Sequence, residues 1–187
     1  MPTPNKYWAI SPIIIKIATR INATMNFFNT FSCLGNDLCS IIIPSSCPCY
    51  THFMKYFIAN FKQNFDSEQF QSWLHTFHPQ LPPETQVILA PPLPFLPLGS
   101  DFSFKLAAQS VSTHQDGANT GQVGAHQLKG LVDYCIIGHS EVRKELGLTD
   151  QQITAQAKLL RNEGIVPIVC LDTPYLESQI TSLKREL

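Results

Sequence analysis

Charge of either sign is scarce in this sequence: 13 Lys and Arg and 14 Asp and Glu among 187 residues leave a formal net charge of −1. No field of one sign is large enough to draw nucleic acid or an anionic membrane as the main partner. An anionic ligand must instead be held by a local device such as a lysine, a helix N-terminus or a glycine turn. Long hydrophobic runs are lacking too. No stretch reaches the ~18 apolar residues needed to cross a bilayer, and Pro12-Ile-Ile-Ile15 is interrupted by Lys16 and Arg20. Residues 1–30 have only a short apolar stretch and no clean small-residue cleavage site, so they make a poor secretory signal. Asn22-Ala-Thr24 fits a glycosylation acceptor but means little without secretion. Paired C-x-x-C spacing is also missing. Cys33, Cys39, Cys47 and Cys49 crowd into the first segment without it, and no histidine pair stands at finger spacing, which argues against a zinc site. Cys135 and Cys170 fall inside apolar runs and read as buried, reduced thiols, which suits a cytoplasmic protein.

What is present is apolar content: 44% of the residues are hydrophobic against 14% charged, enough for one domain with a sizeable core. The pattern changes near Met54. Residues 1–53 keep neither a helical period nor strict alternation for long and read as an irregular extension. Residues 54–187 alternate strand-like and helix-like runs, the signature of βα units on a parallel sheet. Strands are expected at Lys55–Phe61, Gln86–Ala90, Phe104–Gln109, Tyr134–Gly138 and Val166–Cys170. Asp66 with Gln69, and Thr149 with Gln152, have capping-box spacing and open two helices. In the first, Phe70, Trp73, Leu74 and Phe77 form one apolar stripe that packs on the sheet rather than holding a cofactor; His75 and His78 stand i, i+3 on the same helix. In the second, Ile153, Ala157 and Leu160 make the buried face and Gly164 ends it. Short helical pieces are expected around Pro94–Leu98 and Ala125–Gly130, another from Ser140, and a last helix from about Pro174 to the C-terminus. Five parallel strands in β-then-α order fit either an open doubly wound sheet or part of a (β/α)₈ barrel; periodicity alone does not choose.

In parallel α/β folds, ligands bind beyond the C-terminal ends of the strands. Asn60 and Lys62 follow the first strand; His139 follows the fourth, with Ser140 and Glu141 beside it. His139 leaves its strand through Gly138 and enters a helix start. There the backbone N–H groups and the positive end of the dipole disfavour a protonated imidazole. A neutral imidazole so placed can donate to a carbonyl oxygen and stabilise charge developing on it; the plainer alternative is a local helix cap. Lys62 can hold a phosphate or an enolate oxygen as a point charge, or be a solvated surface lysine. Asn60 can orient a substrate oxygen or satisfy a turn. Glu141 can pair with Lys62 or simply favour the helix dipole. His52, His75, His78, His114 and His126 form no ligand pattern.

Taken together, these residues resemble a known family. Phe57-Ile-Ala-Asn60-Phe-Lys62-Gln-Asn64 resembles the first-strand signature of triosephosphate isomerase, and Val87-Ile-Leu-Ala-Pro91-Pro92 its second. Leu106-Ala-Ala-Gln109-Ser110 followed by Gly117-Ala-Asn-Thr120-Gly121 is similar to its third strand and dimer loop. Ile136-Ile-Gly-His139-Ser-Glu141 matches the fourth, and Gly164-Ile-Val-Pro167-Ile-Val-Cys170 resembles the fifth. A lone Gly-His-Ser-Glu carries little weight; five signatures in order carry a great deal.

The resemblance implies an incomplete TIM (β/α)₈ barrel of about five parallel strands with helices. It implies interconversion of dihydroxyacetone phosphate and glyceraldehyde 3-phosphate in glycolysis and gluconeogenesis, with His139 as the electrophile, Asn60 and Lys62 as substrate contacts and Glu141 as a supporting carboxylate. No metal or organic cofactor is implied, since proton transfer through an enediolate needs only a base and electrophiles. The family's homodimer contact falls on Thr120, Gly121 and Gln122.

Departures accompany the match. The family's general base is a glutamate after the sixth strand, and residues 54–187 are fewer than the ~250 of a full barrel. That base is absent from the chain, so the resemblance implies little activity for these residues alone. Gln122 stands where the family has glutamate and Val142 where it has arginine; losing both is milder than stranding one charge. Residues 1–53 match nothing in the family and are expected to be upstream sequence or an unrelated extension. The alternatives to an isomerase are a non-catalytic partial barrel that serves as an interaction or structural module, and another phosphate-binding α/β enzyme.

Overall fold

The computed structural model describes residues 55–172 (side chains to 171), the backbone of Ile14–Ala18 and Cys39–Ile41, and Ile180 with Thr181. Its strands are β1 (Ile14–Ala18), β2 (Cys39–Ile41), β3 (Lys55–Asn60), β4 (Thr85–Ala90), β5 (Lys105–Ala108), β6 (Tyr134–Ile137) and β7 (Val166–Asp172). The helices are α1 (Ser67–Thr76), α2 (Ala125–Leu128), α3 (Ser140–Leu146) and α4 (Asp150–Asn162), with a 3₁₀ helix at Leu93–Gly99. The sheet runs β1-β7-β6-β5-β4-β3-β2. From β3 to β7 every neighbour is the next strand in the chain and every pairing is parallel. A doubly wound sheet reverses direction at a switch point; this one does not, and it curls into a half-barrel. From residues 1–53, β1 pairs parallel with β7, and β2 pairs antiparallel with β3. The helix expected from Pro174 lies outside the described residues apart from Ile180 and Thr181, which are helical.

Period-two alternation divides the strands between two clusters. Ala59, Val87, Leu89, Leu106, Ala108, Cys135, Ile137, Val169 and Leu171 face the helices and pack with Phe70, Leu74, Ile153, Ala157 and Leu160. Ile58, Ile88, Ala90, Ala107, Ile136, Ile168 and Cys170 form a second cluster on the concave face. Burial on both faces is why these strands read as nearly continuous apolar runs.

Local chemistry sets the helix boundaries. Asp66 Oδ1 accepts the Gln69 N–H at 2.8 Å while Gln69 Oε1 accepts the Asp66 N–H at 3.0 Å, closing the expected box at the start of α1. The same exchange joins Thr149 and Gln152 ahead of α4. One expectation needs correcting: α1 stops at Thr76, with Phe77 extended as its C-cap, so His78 lies beyond the helix. Pro79 follows His78 and disfavours the helical region for it. Among the described residues, no helix is long and apolar enough to cross a membrane.

At the N-terminal rim, Tyr134 meets Tyr56 edge to face, ring centroids 6.5 Å apart. Burial, with Tyr56 and Asp133 adding to it, pushes the Tyr134 phenol up to about 12. A folded pKa above the unfolded value of ~10 means that this group's contribution to stability is complete below pH ~10 and is lost as pH rises toward the folded value. Ultraviolet titration of the native chain is expected to show a late phenolate step that Tyr134→Phe removes; ionisation of Tyr134 near 10 in the folded protein contradicts this. Burial likewise pushes the Cys135 thiol up.

Candidate active site

Because β3 to β7 are parallel, the residues that follow their C-terminal ends share one rim. Asn60 ends β3 opposite Ala90 of β4, in the parity of the concave residues Tyr56 and Ile58. Its Oδ1 accepts the Lys62 N–H at 3.0 Å, a local turn bond. Lys62 has a left-handed backbone, φ +52°, and so does Phe65, φ +70°. For a residue with a side chain this conformation costs about 1–3 kcal/mol and persists only where its surroundings impose it.

Gly138 carries the chain off β6 with φ +67°. A Cβ there would stand 3.0 Å from Ile153 Cδ1, 3.1 Å from Arg143 Nη2 and 3.2 Å from the Cys170 carbonyl oxygen. His139 then caps α3, its Nδ1 accepting the Glu141 N–H at 3.4 Å. With Nδ1 accepting, the proton of a neutral imidazole sits on Nε2.

Glu141 connects the two strand ends. Its Oε1 lies 3.0 Å from Lys62 Nζ, and its Oε2 lies 3.5 Å from His139 Nδ1, an ion pair only when the imidazole is protonated. The Lys62 and Glu141 side chains are 27% and 52% exposed. A pair this wet contributes little to stability, at most about 1 kcal/mol. Of these residues Lys62 lines a cleft of about 680 Å³, together with Pro92, Gln109, Val123, Leu148 and Gln156 among others.

Thr120 and Gly121 sit exposed at the tip of a loop whose base is closed by Ser112 N–H donating to the Val123 carbonyl at 2.8 Å. Gln122 Oε1 accepts from Ser112 Oγ at 2.7 Å, so the neutral side chain in the place of the expected glutamate is bonded within its own loop. The structure thus brings Asn60, Lys62, His139 and Glu141 to one rim, with Thr120, Gly121 and Gln122 on a separate loop of which Gly121 and Gln122 line the same cleft as Lys62.

Two contributors are not among the expected site residues. Arg143 donates from Nε to the Gly138 carbonyl at 2.8 Å and from Nη1 to Asp150 Oδ1 at 2.6 Å, tying the exit of β6 to the start of α4. Its only local signal is its place four residues after His139. Gln109 follows β5 and donates from Nε2 to both the Lys62 and the Ala90 carbonyls, at 2.9 and 2.8 Å. It is a polar residue at a strand end, as Asn60 and His139 are, and that was the available signal.

The family model for triosephosphate isomerase matches residues 55–185. The triosephosphate isomerase of Thermus thermophilus is 36% identical over 122 residues, 62% of this chain and 49% of that protein. That of Neurospora crassa is 33% identical over 155 residues, 71% of this chain and 61% of that protein. That of Synechococcus sp. strain CC9311 is 32% identical over 121 residues, 60% and 50% of the respective chains. The chain thus spans about half the length of the curated relatives it matches. The match begins at the first residue of β3 and runs through every strand-end motif described above; the chain belongs to the triosephosphate isomerase family.

Proposed function

We propose that residues 55–172 carry the electrophilic half of a triosephosphate isomerase site, which interconverts dihydroxyacetone phosphate and glyceraldehyde 3-phosphate through an enediolate. The observation that carries this is the convergence of Lys62, Glu141 and His139 at one rim, joined by contacts of 3.0 and 3.5 Å. When a base removes the proton from the substrate carbon beside the carbonyl, the electron pair moves onto the carbonyl oxygen. The Nε2–H of His139 donates to that oxygen, and a preorganised donor is worth most where charge develops. Lys62 supplies a positive charge to the phosphate or the enediolate oxygen. Asn60, with Oδ1 committed to Lys62, offers its Nδ2 hydrogens to a substrate oxygen. Glu141 is tied to Lys62 and acts as a positioning carboxylate; by the family resemblance the base is a glutamate outside residues 55–172. In the same reading, Thr120, Gly121 and Gln122 form the homodimer contact and the enzyme works in cytoplasmic glycolysis and gluconeogenesis.

The test is an NMR titration of the chain with dihydroxyacetone phosphate. Resonances of Lys62 and His139 are expected to move together, and Lys62→Met should weaken binding about ten- to hundredfold, the range of a hydrogen bond to a charged group. Equal affinity in Lys62→Met, or a ligand response confined to residues away from this rim, refutes the reading.

A further inference from the structure

We infer that Gln109 is a positioning residue that holds Lys62 in its left-handed backbone, and so sets where the lysine ammonium stands. Lys62 has φ +52°, a region where a side-chain-bearing residue needs outside support. The turn it occupies is closed by Asn64, whose N–H and Nδ2 donate to the Phe61 carbonyl at 3.1 and 3.0 Å, and three further bonds fasten it to its surroundings. The Phe61 N–H donates to the Ala90 carbonyl at 3.0 Å. The Lys62 N–H donates to Asn60 Oδ1 at 3.0 Å. The Lys62 carbonyl accepts from Gln109 Nε2 at 2.9 Å. The first two join neighbouring strands or neighbouring residues; the third reaches across from β5, 47 residues away in sequence.

The same Nε2 also donates to the Ala90 carbonyl at 2.8 Å. Two carbonyl oxygens from different strand ends therefore converge on one nitrogen. Their partial negative charges repel unless a donor with two hydrogens sits between them, and a primary amide is such a group. Gln109 has concave parity with Ala107, which brings its half-buried amide to the rim beside the turn. Hydrophobic side chains of similar size would leave both carbonyls without this donor, and glutamate would add a third acceptor to the cluster. Without the bond, the Lys62 peptide loses its support from β5 and the turn relaxes toward ordinary φ, carrying Nζ away from Glu141.

The positioning of Lys62 stands on these contacts; its consequence for substrate rests on the proposed function. The experiment separates the two. Carbon chemical shifts of Lys62 report its backbone conformation in the full 187-residue chain without any ligand. In Gln109→Leu they are expected to leave left-handed values, while those of Ala107 and Ile136 stay in place, and affinity for dihydroxyacetone phosphate should fall about tenfold. If Gln109→Leu does not fold, Gln109→Asn, which keeps the amide but draws it back by one methylene, is read in the same way. A folded variant whose Lys62 shifts are unchanged overturns the inference, even if its thermal stability has dropped. If the wild-type chain does not bind dihydroxyacetone phosphate at this rim, the proposed function fails, and the Lys62 shifts still decide the role of Gln109.

Discussion

Phe70→Ala is expected to destabilise the protein by about 3–5 kcal/mol, the range for removing a buried aromatic ring from a packed core. Phe70 is 0% exposed. Phe61 meets its ring edge to face with centroids 5.2 Å apart, and the rings of Trp73 and Phe95 lie near-parallel to it at 6.5 and 6.1 Å. The ring therefore joins α1, the turn after β3 and the 3₁₀ helix after β4. Truncation leaves a cavity bounded by rings from three elements, which cannot close over it by a single side-chain rotation. Urea unfolding followed by aromatic circular dichroism should show a lower midpoint with an unchanged slope. A loss below about 1 kcal/mol would mean that the cluster can collapse, a much softer interior than close packing allows. There is a consequence at the rim as well. Phe61 immediately precedes Lys62 and rests on Phe70, so the variant should loosen the lysine turn as well as the core.

Gly138→Ala is expected to cost about 2–5 kcal/mol through two separable effects. The left-handed backbone at φ +67° accounts for roughly 1–2 kcal/mol of that in any residue with a Cβ. Crowding accounts for a further ~1–3 kcal/mol, because the new Cβ would meet Ile153 Cδ1 at 3.0 Å, Arg143 Nη2 at 3.1 Å and the Cys170 carbonyl oxygen at 3.2 Å. The first two belong to side chains that can move; the third is the backbone of β7 and cannot. Gly147→Ala is the natural control, since Gly147 has φ +65° but nothing within 4 Å of its would-be Cβ. It should lose only the conformational part. Adding Ile153→Val to Gly138→Ala removes one crowding atom and should recover a fraction of the loss. Equal losses at Gly138 and Gly147 would show that crowding counts for nothing. Since Gly138 delivers His139 to the rim, the Gly138 variant is also expected to shift the His139 ring resonances, which the Gly147 variant should leave in place.

Legibility in the sequence followed the range of each interaction. The capping boxes at Asp66 and Thr149 span three residues and were readable as spacing. The buried stripe of α4 was readable from its period: Ile153, Ala157 and Leu160 are all nearly inaccessible. The overrun at His78 arose because the apolar period reached Phe77, which packs against the core as a C-cap rather than as a helical residue. The choice between an open sheet and a barrel was not readable from periodicity, because both bury strands on two faces and present the same apolar runs; only the ordered motifs pointed to the barrel. Gln109 illustrates the limit most clearly. It stands in a recognised strand motif, yet its work is done on carbonyls 47 and 19 residues away.

By itself, then, the sequence determined the alternation of strands and helices, the caps and the family to which these motifs belong. All of these depend on contacts within a few residues or on ordered local signatures. The tertiary structure alone decided the register between strands, the bridge from Lys62 through Glu141 to His139, and the contact of Gln109 with the Lys62 turn. Each of those depends on which strand ends become neighbours, and a parallel sheet makes neighbours of residues that the chain keeps far apart.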